Sequence, residues 1–124
     1  MAIATPSVVV LDDDSASIRE INQALRPKYT VLATGDWRKA VRWLETDRSV
    51  TLFIVNQGFR SMGWSDILKE VRQLRPHIRR VLRTPYSDLT AIVPSLHNGD
   101  INLLVSKPLL AGDLQSLLAI NQAA

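Results

Sequence analysis

The chain has 124 residues, 46% of them hydrophobic, and a formal net charge of +3 at pH 7, which suits one domain over residues 1–124 with one core and not two. It contains no cysteine, so disulfides, thiolate metal sites and a cysteine nucleophile are excluded. The opening Met1-Ala2-Ile3-Ala4-Thr5-Pro6 lacks the basic start and apolar stretch of a secretory signal, and no run approaches the roughly 18 apolar residues of a membrane span, so a cytoplasmic protein is expected.

Strand-like and helix-like segments alternate along the chain. Ser7 to Leu11 is a short β-branched run suited to a strand covered on both faces. Ser15 or Ser17 can cap the helix that follows, with Ile18, Ile21 and Leu25 on one face and Pro27 stopping it. Thr30 to Ala33 is a second strand. Asp36 caps a helix in which Trp37, Ala40, Val41 and Leu44 recur at helical spacing. Thr51 to Val55 is the third strand, and Gly58 and Gly63 mark an irregular loop after it. Ile67, Leu68, Val71 and Leu74 form the stripe of the next helix, which ends before Pro76. A short fourth strand runs from Arg80 to Arg83. Leu89, Ile92, Val93 and Leu96 make a helix face that tolerates Pro94 because of its early position. Leu103 to Ser106 is the fifth strand, and Leu114, Leu117 and Leu118 mark the closing helix.

Such alternation predicts a parallel sheet with helices on both faces, because right-handed crossovers lay each helix over the sheet. Ligand sites in these sheets lie beyond the carboxyl ends of the strands. Polar residues stand at those ends: Asp12 and Asp13 after the first strand, Asn56 after the third, Thr84 after the fourth and Lys107 after the fifth. No Gly-rich phosphate loop follows any strand, which argues against a nucleotide enzyme of similar architecture.

With these residues in this order, the chain resembles a receiver domain of two-component response regulators over essentially its whole length. The stretch from Thr84 to Leu89 and the run Leu96-His97-Asn98-Gly99-Asp100-Ile101 further resemble a receiver subtype found with HD-GYP phosphodiesterases and hydrogenase-type transcriptional activators. The resemblance implies a flavodoxin-like (βα)5 three-layer sandwich, its five-stranded parallel sheet ordered 2-1-3-4-5. It also implies that Asp12, Asp13 and the Gly58 carbonyl occupy a Mg²⁺ site, that Lys107 pairs with phosphoryl oxygens, and that the Thr84 hydroxyl reports phosphorylation.

Several residues depart from the family pattern. Asn56 stands where the nucleophilic aspartate belongs, and an amide oxygen carries no negative charge. Pro85 has no N–H to offer a phosphoryl group. Phe59-Arg60 replaces the usual Met-Pro, Trp64 or its neighbour takes the place of a glycine, and Leu104 replaces an aromatic switch residue. Asp14 and Asp66 are surrogate acceptors in principle, but each better fits the start of a helix. With one carboxylate fewer in the pocket, Mg²⁺ binding is expected to be weak or absent and no cofactor is required. Lys107 is then expected to bridge Asp13 and the Asn56 oxygen.

Trp37 and Trp43 fit partial core packing, whereas Trp64, beside the site, suits a lid or a partner contact. His77 and His97 are isolated and fit the surface. The basic residues Arg60, Lys69, Arg72, Arg75, Arg79, Arg80 and Arg83 fit a solvated helix face plus a strand edge, without the interleaved aromatics that stack bases. The favoured function is therefore a non-enzymatic pseudo-receiver that signals through a protein partner or attached effector, with homodimerisation through the last two helices as a family expectation. The alternatives are a conventional phosphoacceptor receiver whose aspartate was exchanged for Asn56, and a basic nucleic-acid-binding regulator.

Overall fold

The five apolar runs form five parallel strands in the computed structural model, which describes residues 5–26, 28–87 and 89–120. In chain order the elements are β1 (Ser7–Leu11), α1 (Ser15–Leu25), β2 (Thr30–Thr34), α2 (Trp37–Thr46), β3 (Val50–Asn56), α3 (Trp64–Leu74), β4 (Arg79–Thr84), α4 (Val93–His97), β5 (Leu103–Ser106) and α5 (Ala111–Ala119). The sheet order is β2-β1-β3-β4-β5 with every pairing parallel. This is the flavodoxin-like (βα)5 architecture that the resemblance implies. No helix of the described residues is long and apolar enough to cross a membrane.

Side chains alternate across each strand, so the sheet feeds two cores. Val9, Leu11, Phe53, Val55 and Leu82 pack on one face with Ala40, Leu44, Ile67, Leu68 and Val71 from α2 and α3. Val8, Val10, Leu52, Ile54, Val81 and Val105 pack on the other with Ile21, Leu25 and Leu117 from α1 and α5. Trp37 and Trp43 lie half-buried against the first core, as expected. His77 and His97 are exposed.

Asp14, not Ser15 or Ser17, caps α1: its side chain accepts from the Ala16 N–H, as a carboxylate does more readily than a hydroxyl. Pro27, expected to stop that helix, lies outside the described residues. Asp36 caps α2 as predicted, and Asp66 falls in the first turn of α3. β2, β3 and β4 extend a residue or two beyond the predicted bounds because parallel pairing continues to Thr34, Asn56 and Thr84.

The predicted fourth helix is the largest discrepancy in the fold. α4 spans only Val93–His97, and of its expected apolar face Ile92 alone is buried while Leu89, Val93 and Leu96 are exposed. Pro94 sits at the helix start with no side-chain cap before it, so the turn from Leu89 to Ile92 never propagates into a full helix.

The basic segment also departs from expectation. β4 lies between β3 and β5, so Arg80 and Arg83 are not on an edge, and both are buried. Arg80 survives there because its guanidinium donates to the carbonyls of Pro76, Ile78, Gly99 and Asp100. Arg83 donates to the Ser17 carbonyl at 3.2 Å, to the Ser17 hydroxyl at 2.7 Å, and to Glu20.

Candidate functional site at the carboxyl edge of the sheet

The parallel register brings the carboxyl ends of β1, β3, β4 and β5 to one edge. A cleft of about 480 Å³ opens there, lined by Asp13, Asp14, Ser15, Asn56, Gly58, Arg60 and Lys107. A smaller one of about 230 Å³ adjoins it, lined by Asn56, Gln57, Gly58, Pro85, Ser87 and Lys107. Topology alone assembles this set, since Asp14 and Lys107 meet across 93 positions of sequence.

Asn56 occupies the centre. It is buried at 4% exposure, and both ends of its amide are engaged: Nδ2 donates to Asp12 Oδ1 at 3.1 Å, and Oδ1 accepts from the Gly58 N–H at 3.0 Å. Asp12 Oδ1 also accepts from the Asp14 N–H at 2.9 Å, whereas Asp12 Oδ2 is buried without a hydrogen-bond partner. Asp13 accepts from the Arg60 N–H at 3.2 Å, which ties the loop after β3 to the end of β1.

Lys107 does not bridge Asp13 and Asn56. Its Nζ donates to Asp14 Oδ2 at 3.2 Å, because the Asn56 oxygen is already held by the loop N–H and Asp14, as helix cap, projects into the cleft. That hydrogen bond, with the one from the Ala16 N–H, holds the Asp14 carboxyl below the usual aspartate range. Asp14 thus both begins α1 and belongs to the site. The Lys107–Pro108 peptide bond is cis.

Thr84 is fully buried. Its hydroxyl donates to Gln57 Oε1 at 2.6 Å and accepts from the Tyr86 N–H at 3.0 Å. Sequence spacing gives Gln57 no role, because it follows the strand end where side-chain direction is set by the loop. Trp64 is the first residue of α3, half-buried against the core, and is absent from the lining of both clefts. Leu104 is likewise half-buried against the first core.

A divalent cation would need more than this edge supplies. The orphaned Asp12 oxygen is one suitable donor, but Asn56 turns its N–H toward that carboxylate, and among the described residues no three His, Cys, Asp or Glu side chains are grouped to hold a metal ion. The residues present do not fit a tight Mg²⁺ site.

No protein-family model matches the chain. The chain is similar to the hydrogenase transcriptional regulatory protein HoxA of Bradyrhizobium diazoefficiens, 28% identical over 102 residues that make up 82% of this chain and 21% of that protein; it therefore spans about a fifth of that relative's length. Among solved structures it is similar to the signal receiver domain of an HD domain-containing protein from Pseudomonas fluorescens Pf-5, with a TM-score of 0.79 and 28% identity over 99% of this chain and 90% of that one. It also shares its fold with a structure described as an adenylate cyclase from Rhodopirellula baltica, with a TM-score of 0.82 and 15% identity over 94% of this chain and 87% of that one. Response-regulator receiver domains recur among the matching structures. The chain has the receiver-domain fold, and that fold points to signal transduction.

Proposed function

We propose that this chain is a receiver-type signalling module of the cytoplasm that is not phosphorylated at residue 56 and acts through protein contacts. One observation carries the reading: Asn56 sits where the sheet converges its polar residues, with its amide locked between Asp12 and the Gly58 N–H. A neutral amide engaged at both ends is a poor nucleophile. The same arrangement supports weak or absent Mg²⁺ binding, because Lys107 and Asp14 neutralise each other at the rim and the third anionic donor is missing.

The contact surface we assign is the side built from α4, β5 and α5. Of the exposed large hydrophobics, Val93 and Leu96 lie on α4, Tyr86 and Leu89 in the loop that leads into it, and Leu110 immediately before α5, which suits a protein partner, an attached effector or a second copy of the chain. The similarity to a transcriptional regulatory protein of greater length favours an effector in the same polypeptide.

The test is intact-mass spectrometry after incubation with Mg²⁺ and acetyl phosphate, with an Asn56→Asp variant in parallel. The unaltered chain is expected to gain no phosphoryl mass, and Asn56→Asp to bind Mg²⁺ about tenfold or more tightly, as an added carboxylate allows. A stoichiometric Mg²⁺-dependent adduct on the unaltered chain would overturn the proposal.

A further inference from the structure

A hydroxyl has one proton to donate, and in Thr84 that proton goes to Gln57 Oε1 at 2.6 Å. One of the oxygen's lone pairs takes the Tyr86 N–H at 3.0 Å. Thr84 is fully buried, so no water competes for it. Its donor is satisfied by a side chain of this chain, and an oxyanion formed on residue 56 could recruit it only by displacing Gln57. Lys107 differs: its ammonium has three donors, of which Asp14 takes one. The hydroxyl is therefore the exhausted group at this edge.

We infer that Gln57 is a built-in acceptor that holds Thr84, and through it the Thr84–Ser87 loop, in one arrangement that owes nothing to residue 56. Two features of the loop fit that role. Tyr86 has φ of 59°, a left-handed backbone that a side chain disfavours, and such a conformation persists where surrounding bonds hold it. Its N–H is tied back to Thr84 Oγ1 by the same hydroxyl that Gln57 orients. Gln57 is itself anchored, its N–H donating to the Arg83 carbonyl at 2.9 Å. Residue 57 thus bridges the loops after β3 and β4, and it fixes how Tyr86 is presented on the proposed contact surface. The inference deepens the function proposed above and rests on it, because a phosphorylated residue 56 would compete with Gln57 for the hydroxyl.

Amide hydrogen exchange by NMR tests it, comparing the unaltered chain with Gln57→Leu and Gln57→Glu. Leucine removes the acceptor at similar size, and glutamate restores it. The Tyr86 amide is expected to exchange roughly fivefold to tenfold faster in Gln57→Leu, the ratio that one hydrogen bond's net contribution allows, and near the parental rate in Gln57→Glu. A parental rate in a folded Gln57→Leu would overturn the inference. Independently of any variant, the unaltered chain should show a slowly exchanging Thr84 hydroxyl proton with a cross-relaxation signal to the Gln57 side chain; its absence would overturn it too. Neither readout involves a phosphodonor. A phosphoryl adduct in the mass experiment would therefore sink the proposed function while leaving the Gln57 bond itself to be judged by exchange.

Discussion

Arg83 shows how much the surroundings of one residue decide. It sits fully buried in β4 one position before Thr84, with a guanidinium that reaches Ser17 and Glu20 while its Nε goes without a partner. Glu20 is less enclosed, its side chain 35% exposed, and its second oxygen accepts from the Leu109 N–H at 3.1 Å. The pair is therefore lopsided. Removing Glu20 strands a buried cation, which costs about 3 kcal/mol. Replacing Arg83 by methionine leaves a carboxylate that water can reach, and is expected to cost less than about 1.5 kcal/mol. Urea unfolding of Glu20→Ala and Arg83→Met should reproduce that order, and a larger loss for Arg83→Met would show that the cation, not its neutralisation, holds α1 to β4.

At the level of elements, two aspartates tie helices to the sheet edge and make the fold sensitive to acid. Asp14 is held below the usual aspartate range chiefly by Lys107. Burial alone would raise Asp113, but the Ser106 hydroxyl and the Leu110 and Ser106 amides outweigh it and lower its pKa. Both groups bind fewer protons folded than unfolded, so the stability they contribute is complete above the ordinary aspartate value of about 3.9 and is lost as pH falls through the lower folded values. Stability measured in urea should begin to fall as pH drops to about 4 and go on falling below that. Asp113→Asn should flatten that fall more than Asp14→Asn, because the Asp14 pair is screened at the surface; parental acid limbs in both variants would refute the assignment.

α4 is the other element with a measurable consequence. Five residues with Val93 and Leu96 exposed and no side-chain cap make a poor helix, so its amides are expected to exchange about a hundredfold or more faster than those of the buried β3 residues Phe53 to Val55. Comparable protection in the two would contradict this. The sequence misled here because Leu89, Ile92, Val93 and Leu96 have helical spacing whether or not they meet a core, and periodicity carries no information about which apolar face is covered. Where the pattern was two-sided, as in Val8 to Leu11 with alternate residues entering opposite cores, strand and burial were both legible. The strand ends were legible too, and with them Asp12, Asp13, Asn56, Thr84 and Lys107. What escaped was pairing: Gln57 with Thr84 and Asp14 with Lys107 depend on loop and cap geometry that no spacing rule encodes.

For the molecule as a whole, the basic stretch from Arg60 to Arg83 looks in sequence like a footprint for an acidic polymer, and the fold dismantles it. Arg72 pairs with Asp100 at 3.0 Å and donates to the Asn98 carbonyl. Arg75 donates to the carbonyls of Leu44, Asp47 and Val50, close to the end of α2. Arg80 and Arg83 are buried. Four cations of that segment are thus engaged within the chain, two of them buried, and Arg60, Lys69 and Arg79 are left with their side chains outside such bonds among the described residues. Nucleic-acid affinity grows with the number of phosphates neutralised and falls steeply with salt. Three scattered cations on a domain of net charge +3 should not sustain it, and fluorescence anisotropy with a labelled duplex is expected to show no binding up to about 100 µM protein at physiological salt. Saturable binding that weakens steeply with salt, and that is lost when Arg60, Lys69 and Arg79 are changed to glutamate together, would instead make those three the contact surface. The arginines bonded within the chain would then be the scaffold that spaces them.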